Sequence, residues 1–259
     1  MKQFYHFLVK IGINPVAFFS FFAGLPVYLR DRREFKKQLG ANREFPFGTP
    51  YPILSDRRTE NGKIRGAYFH QDLLVARKIY KNSPVKHIDV GSRVDGFVAH
   101  VAVFREIEVF DVRPQSDVIR NVTLKQVDFM NIPDELVNYC DSVSSLHAIE
   151  HFGLGRYGDP VDAFGHLKGI RNIHRVLKPG GTFYFSVPIG RQRIEFNAHR
   201  IFDVGYLLNI LQPDFDVVSF SYIDDIYDLH EDVPLEEEKI RDNYGCNYGC
   251  GVFELIKKS

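Results

Sequence analysis

Five short apolar segments, separated by stretches with helical spacing, constrain the fold of this chain more than any other feature. The segments cover residues 85–90, 106–111, 123–127, 142–146 and 182–187, with helices predicted near 97–104, 115–121, 133–139 and 162–177. Strands that are apolar almost throughout, alternating with helices, indicate a parallel sheet covered on both faces. A chain of 259 residues is long enough to bury the core that such a sheet needs.

The C-terminal part departs from this alternation. Residues 216–223 and 251–257 predict two strands that pair as an antiparallel hairpin at the edge of the sheet. Between them, residues 224–238 contain eight acidic side chains, which indicates a solvated loop. The predicted sheet therefore has seven strands, most of them parallel.

Polar residues follow the apolar segments where a parallel sheet binds its ligands, beyond the carboxyl ends of the strands. Gly91 and Gly96 mark a tight turn whose N–H groups can face a ligand. After the next two segments, Asp111 can accept both hydroxyls of a ribose, and Asp128 can accept an adenine amino group while Phe129 covers the ring. The residues predicted to bind this nucleotide-like ligand are Asp89, Gly91, Ser92, Arg93, Gly96, Asp111, Asp128, Phe129 and His147.

Five motifs occur in a fixed order along residues 84–258. They are Asp89-x-Gly91, Asp111, Val127-Asp128, the run from Asp141 to His151, and the run from Arg175 to Pro188 that contains Leu-Lys-Pro-Gly-Gly. This order resembles that of the class I S-adenosylmethionine-dependent methyltransferases. The resemblance implies S-adenosyl-L-methionine as cofactor. The fold class expected is α/β, a Rossmann-like seven-stranded, mostly parallel sheet with an antiparallel last strand, helices on both faces and an N-terminal helical appendage.

Four longer phrases carry a second resemblance. They are Tyr68-Phe-His-Gln-Asp72, the run from Gly91 to Phe97, the run from Glu150 to Asp159, and Phe196-Asn-Ala-His-Arg200. They are similar to an uncharacterised domain family found among polysaccharide-biosynthesis proteins. This similarity implies O-methylation of a sugar, nucleotide-sugar or lipid-linked glycan in surface polysaccharide biosynthesis.

The turn after the first strand departs from the methyltransferase pattern, because Arg93 stands where the family usually has glycine. Its guanidinium either binds the carboxylate of the cofactor or narrows the pocket. In the second case the protein would bind no cofactor.

The loop after the fourth strand is dense in ionisable groups, and this loop faces the methyl group in the resembling fold. His151 is the predicted base, because a free imidazole with a pKa near 6.5 accepts a proton at neutral pH. Glu150 is predicted to orient His151, and Asp159 is the alternative base. The residues predicted to bind the acceptor are Tyr68, His70, Arg156, Tyr157, Asn197, His199 and Arg200, with Arg191 and Arg193 as further ligands for a diphosphate.

The chain is predicted to have three parts: an appendage over 1–40, a connector and helix over 41–83, and the main domain over 84–259. The appendage combines Phe18, Phe19, Phe21 and Phe22 with seven basic and two acidic residues. Aromatic and basic side chains suit an anionic membrane surface, which predicts peripheral contact through residues 1–38 at the inner face. Alternatively, its Phe side chains pack on the main domain or on a second subunit of a homodimer.

Composition narrows the function further. A net charge of zero argues against a nucleic-acid partner. Three cysteines indicate a reducing, cytoplasmic setting, and two of them without other ligands make a poor metal site. Two rival functions remain open. One is a non-catalytic binding or scaffold protein, and the other is an NAD-dependent oxidoreductase, disfavoured because the turn lacks Gly-x-Gly-x-x-Gly.

Overall fold

The computed structural model describes residues 15–40, 45–54, 56–58, 66–115 and 117–259, with side chains from residue 21 onwards. The chain divides into two compact units, Met1–Lys63 and Ile64–Ser259. No helix in the described part of the chain has the length and apolar character that a membrane span requires.

The first unit contains helix α1, Pro15–Leu39, which confirms a helical appendage over part of the predicted range. The following segment packs back on α1, where Phe35 and Phe47 meet edge to face and Arg57 pairs with Asp31 at 2.6 Å. Residues 1–14 and the side chains of residues 15–20, including Phe18 and Phe19, lie outside the described residues. The membrane contact of residues 1–38 therefore stays a prediction.

The second unit is built on one mixed sheet of eight strands in the order β3-β2-β1-β4-β5-β10-β8-β9. Strands β1 to β5 run parallel, whereas β10, β8 and β9 are antiparallel to their neighbours. A separate hairpin joins β6 and β7. The strands are β1 His87–Val90, β2 Ile107–Asp111, β3 Val122–Gln126, β4 Cys140–Leu146, β5 Leu177–Ile189, β6 Arg193–Glu195, β7 His199–Ile201, β8 Phe215–Ile223, β9 Leu229–His230 and β10 Gly249–Lys257.

Helices cover both faces of this sheet, as predicted. They are α2 Ala67–Asn82, α3 Ala99–Ala102 (preceded by a π-helical turn, Val94–Val98), α4 Gly165–Val176, α5 Val204–Leu211 and α6 Glu237–Arg241. One buried cluster joins α2 and α3 to one face of the sheet, through Leu74, Ile79 and Val101. A second joins α4 and α5 to the other face, through Ile173 and Leu207.

The fold confirms the predicted class, with three corrections of detail. The antiparallel pair forms as expected, but β10 lies between β5 and β8, and the short β9 from the acidic insert adds an eighth strand at the edge. Helix α2 buries its apolar side in the core of the second unit, so the boundary falls at Ile64 and not at residue 84.

Two predicted helices are wrong. Residues 117–121 form a turn with an isolated bridge from Ile119 to Val122, and Val118 is fully exposed. Residues 133–139 form only a 3-10 turn, Asp134–Leu136, before Asn138 adopts a φ of 52°. Neither segment has enough apolar side chains on one face to pack a helix against the sheet.

Candidate active site

A cleft of about 540 Å³, part of it open to solvent, lies at the carboxyl ends of the parallel strands. This is where an open parallel sheet binds its ligands. Its walls come from the ends of β1, β2 and β4, from the segment after β3 and from the loop that follows β4. The lining residues are Val90, Gly91, Phe110, Asp111, Val112, Arg113, Val127, Asp128, Phe129, Met130, His147, Ala148, His151, Phe152, Tyr157 and Asp159.

The turn after β1 presents to the cleft a backbone segment that carries no side chain, at Gly91. Gly91 has a φ of 73°, and a Cβ there would lie 2.9 Å from the Cβ of Ala148, so a side chain at this position would be both strained and crowded. Asp89 is buried behind the turn and accepts hydrogen bonds from Ser92 N, Ser92 Oγ and Ser144 Oγ. Burial raises the pKa of Asp89 to about 6. Asp89 and Ser92 therefore hold the turn and do not line the cleft.

Arg93 does not block the cleft. Its guanidinium pairs with Asp95 at 3.0 Å and lies over the ring of Tyr68, with half of its side chain exposed. Gly96 packs against α2, where a Cβ would approach Asp72 Oδ2 to 2.7 Å. The space near the turn thus remains available. Arg93 was predicted either to bind the carboxylate of the cofactor or to narrow the pocket, and in this structure its side chain does not narrow the cleft.

Asp111 lies in the cleft with its carboxylate already engaged by Arg113. The carboxylate accepts hydrogen bonds from Arg113 N at 2.8 Å, Nε at 2.9 Å and Nη2 at 2.7 Å. On its other side the guanidinium lies 4.5 Å from the centre of the Tyr157 ring, which belongs to the opposite wall. Sequence reasoning missed Arg113, although the spacing of an acid and an arginine two residues apart at a strand end was a usable signal.

The wall after β3 is apolar with one carboxylate. Asp128 accepts a hydrogen bond from Met130 N at 2.8 Å, which closes a local turn, and its second oxygen accepts none from the residues that the structure describes. Phe129 is buried and packs edge to face on Phe110. Asp128 and Phe129 are thus together in the cleft, as predicted, while Met130 was missed because nothing in the sequence marks it.

Glu150 does not orient His151, contrary to the prediction. Its Oε1 accepts a hydrogen bond from Nδ1 of His147 at 2.8 Å and lies 3.8 Å from Nε2 of His151. A φ of 51° at His147 and the 3-10 turn Ile149–His151 set these directions. Although burial opposes a charged imidazole, Cys250 and Glu150 raise the pKa of His147 well above its usual value.

His151 is held with one nitrogen available. Nδ1 donates to the carbonyl of Ala198 at 2.7 Å, because a carbonyl can only accept, so Nε2 of the neutral ring carries the lone pair. Burial lowers the pKa of His151, and Arg156 and His147 act in the same direction against Glu150 and the Ala198 carbonyl. His151 is therefore neutral at pH 7 and can accept a proton.

Asp159, the alternative base, organises the glycine-rich loop, residues 153–158, which contains three glycines. Its carboxylate accepts hydrogen bonds from the amides of Gly153, Gly155 and Tyr157 at 2.9, 3.3 and 3.1 Å. A Cβ on Gly153 would lie only 2.0 Å from the carbonyl of Asp162, so the loop is packed tightly at this point. These bonds engage both carboxylate oxygens, so Asp159 serves to position Tyr157 in the wall.

Arg200 is not an acceptor ligand, which corrects its predicted role. The residue is buried, and its guanidinium donates to four backbone carbonyls, those of Glu150, Phe152, Asp162 and Ala163. Arginine so engaged cannot bind a diphosphate without breaking these bonds. It instead holds the loop after β4 against β7.

Of the other predicted acceptor ligands, Tyr157 lines the cleft, whereas Arg156, Asn197 and His199 are not among its lining residues. Arg156 is exposed and donates to the carbonyl of Ala198, and Asn197 is exposed in the β6–β7 turn with a φ of 65°. His199 lies 3.3 Å from Glu195, with its buried Nε2 lacking a well-aligned hydrogen bond. Arg193 is paired with Glu195 and is not free.

Tyr68 and His70 lie in the first turn of α2. The Tyr68 ring is 5.0 Å from that of His147, so this residue reaches the rim of the site. His70 is half-buried and packs on Phe69, and the structure does not bring it to the cleft. The described residues contain no group of three or more His, Cys, Asp or Glu side chains placed to hold a metal ion.

The solved structures with a similar fold include methyltransferases and a cyclase. The [4+2]-cyclase SpnF has a TM-score of 0.53 and 17% identity, covering 73% of this chain and 81% of its own. The 1,6-didemethyltoxoflavin-N1-methyltransferase of Burkholderia thailandensis, solved with its substrate and S-adenosylhomocysteine, has a TM-score of 0.53 and 13% identity, covering 75% and 80%. A putative sarcosine dimethylglycine methyltransferase from Galdieria sulphuraria has a TM-score of 0.51 and 15% identity, covering 73% and 86%.

These similarities show the fold of the class I methyltransferases. No curated protein sequence matches the chain. A family model matches residues 105–242, more than half of the sequence, and the chain therefore belongs to DUF268, the family described as Caenorhabditis protein of unknown function.

Proposed function

We propose that this protein is an S-adenosyl-L-methionine-dependent methyltransferase that methylates a hydroxyl group of a sugar or glycan intermediate in surface polysaccharide biosynthesis. The observation that carries the proposal is a single cleft that combines the bare turn at Gly91, the carboxylate of Asp111 and the available nitrogen of His151. The first two suit a nucleoside, and the third suits proton removal from an acceptor.

The residues present fit an adenosyl group. Gly91 leaves room for a ligand to approach the backbone, Asp111 is placed for the ribose hydroxyls, and Phe129 and Asp128 form an apolar wall with one hydrogen-bond acceptor for adenine. When bound, S-adenosyl-L-methionine supplies an electrophilic methyl group. Most of the catalysis then comes from alignment of the acceptor with that group.

His151 is the group that removes the proton. Its Nδ1 is fixed to Ala198, so Nε2 would accept the proton that the acceptor hydroxyl loses. The imidazolium formed lies 3.8 Å from Glu150 Oε1, which stabilises it. His147, hydrogen-bonded to the same carboxylate oxygen, keeps Glu150 in place without serving as the base.

The β6–β7 hairpin supports a carbohydrate acceptor. Asn197 offers an exposed amide, and His199 has a polar nitrogen without a well-aligned partner. Phe196 and Tyr248 expose aromatic rings, and the Tyr248 ring lies 5.3 Å from that of His199. Hydrogen-bonding groups beside exposed rings suit a ligand with hydroxyls on one side and C–H faces on the other.

Calorimetry with S-adenosylmethionine, S-adenosylhomocysteine and NAD tests the proposal. We expect both sulfur ligands to bind and NAD to give no heat. Binding of NAD alone would support the oxidoreductase hypothesis, and a folded protein that binds none of the three would support the scaffold hypothesis. A screen of nucleotide-sugars and lipid-linked sugars, with methyl-labelled donor, then identifies the acceptor.

A further inference from the structure

Two guanidinium groups lie over one aromatic ring at the mouth of the cleft. Arg113 is 4.5 Å and Arg156 is 5.1 Å from the centre of the Tyr157 ring. The ring is part of the glycine-rich loop, whose conformation Asp159 fixes. The ring therefore gathers two cations from separate parts of the chain, one following β2 and one following β4.

Only one of these cations has a carboxylate partner. Arg113 forms its ion pair with Asp111, at 2.7 Å between Nη2 and Oδ2. Among the described residues Arg156 forms no ion pair, and its hydrogen bond goes to the neutral carbonyl of Ala198. Arg193, by contrast, does have a carboxylate partner, because it pairs with Glu195.

Ribose binding would weaken that one ion pair. A carboxylate has about four lone-pair positions, and Arg113 uses three of those on Asp111 through N, Nε and Nη2. Two ribose hydroxyls need two positions, so at least one of the three bonds from Arg113 must break. Arg113 is half exposed, and exposed ion pairs are weak enough for a ligand to displace.

We propose that Arg113 couples ribose binding at Asp111 to the binding of an anionic acceptor, a phosphate or carboxylate held between Arg113 and Arg156 beside Tyr157. This inference rests on the proposed function and adds to it a substrate class. With the ribose in place, the bonding of Arg113 to Asp111 is weakened and Arg156 has no carboxylate partner among the described residues, so the two guanidinium groups near this ring are only partly compensated in charge. Guanidinium groups bind phosphate and carboxylate through paired N–H donors, so such an anion compensates both charges.

The coupling is measured by titrating S-adenosylhomocysteine into the protein with and without sodium pyrophosphate, at an ionic strength matched with sodium chloride. For the wild-type protein we expect pyrophosphate to tighten binding by about fivefold or more, as is typical of coupled sites. In Arg113→Gln, S-adenosylhomocysteine should bind at least as tightly as in the wild type without pyrophosphate, because nothing competes for Asp111. Pyrophosphate should then have no further effect.

Two other variants sharpen the result. Arg156→Gln should keep the wild-type affinity for S-adenosylhomocysteine and lose the response to pyrophosphate. Arg77→Gln removes an arginine that pairs with Glu231 and does not line the cleft, and it should behave as the wild type. Unchanged affinity with pyrophosphate in the wild type, or a full response in Arg113→Gln, would overturn the inference.

Failure of the two proposals is distinguishable. If no variant binds S-adenosylhomocysteine, the proposed function itself fails and this inference with it, whereas binding without coupling removes only the inference. Replacing pyrophosphate by uridine diphosphate or geranyl diphosphate identifies the source of the anion. A larger effect of the first supports a nucleotide-linked acceptor, and a larger effect of the second a lipid-linked one.

Discussion

The two walls of the cleft hold their polar groups in different ways. On the wall proposed to bind the cofactor (the cofactor wall), formed after β1, β2 and β3, the two carboxylates that line the cleft bond to partners two residues away, Asp111 to Arg113 and Asp128 to Met130. On the wall proposed to bind the acceptor (the acceptor wall), formed after β4, two of the side chains that hold it in place bond to partners about fifty residues away. His151 bonds to the carbonyl of Ala198, and Arg200 bonds to those around the Ile149–His151 turn.

This difference separates the wall proposed to bind the cofactor from the wall proposed to carry the chemical step. Short-range bonds on the cofactor wall form whenever the strand ends are in place, so this wall depends little on the rest of the fold. The acceptor wall depends on the β6–β7 hairpin, which must dock on the loop after β4 to fix the ring of His151 and to bury Arg200. We therefore expect changes in the two walls to be separable by experiment.

The largest expected effect is on turnover through the acceptor wall. His151→Gln removes the proton acceptor, so turnover should fall by about 10²–10⁴-fold, the usual contribution of a positioned base. Binding of S-adenosylhomocysteine, measured by calorimetry, should not change.

The matched control is His174→Gln, a histidine on α4 that packs on Phe215 and does not line the cleft. It should keep wild-type turnover. Normal turnover of His151→Gln would show that another group takes the proton.

This comparison also explains how far the sequence could predict the site. The sequence could place Gly91, Asp111 and Asp128 at the cleft because each lies at or directly after the end of an apolar run, which is a local signal. Arg200 and Glu150 were assigned wrongly or incompletely because their partners are set by the docking of distant segments. No pattern near Arg200 indicates that four carbonyls surround it, and the positive φ of His147 that directs Glu150 is invisible in the sequence.

The next effect in size is on stability. Arg200→Met takes the donor away from four carbonyls, one at a buried contact and three at partly buried ones, so the free energy of unfolding should fall by about 2–4 kcal/mol. Urea unfolding measures it. Arg156→Met, which removes one exposed donor to Ala198, should change stability by less than about 0.5 kcal/mol. Equal losses in both variants would mean that burial does not distinguish the two arginines.

A smaller effect is expected on the cofactor wall. Asp111→Asn replaces a charged acceptor of the ribose hydroxyls by a neutral amide, so S-adenosylhomocysteine should bind about tenfold more weakly, with the unfolding free energy little changed. Asp134→Asn, at an exposed acid that pairs with Arg175, is the control and should bind as the wild type. Wild-type affinity in Asp111→Asn would place the ribose elsewhere.

The smallest effect is a shift in the pH dependence of kcat/KM. The proposed base must be neutral to accept a proton. Burial is the largest cause that lowers the pKa of His151, and Arg156 and His147 lower it further. Activity should therefore rise with pH below 6.5 and be level between 7 and 8. Arg156→Gln removes a charge that disfavours the imidazolium, so the pKa of His151 should rise and the rising limb should move to higher pH. Because Arg156 is exposed, 1 M salt should reproduce much of this shift in the wild type by screening its charge. Glu150, Tyr157 and His199 face the same ring and remain unchanged in this variant. A limb that moves to lower pH would mean that the titrating group is not His151.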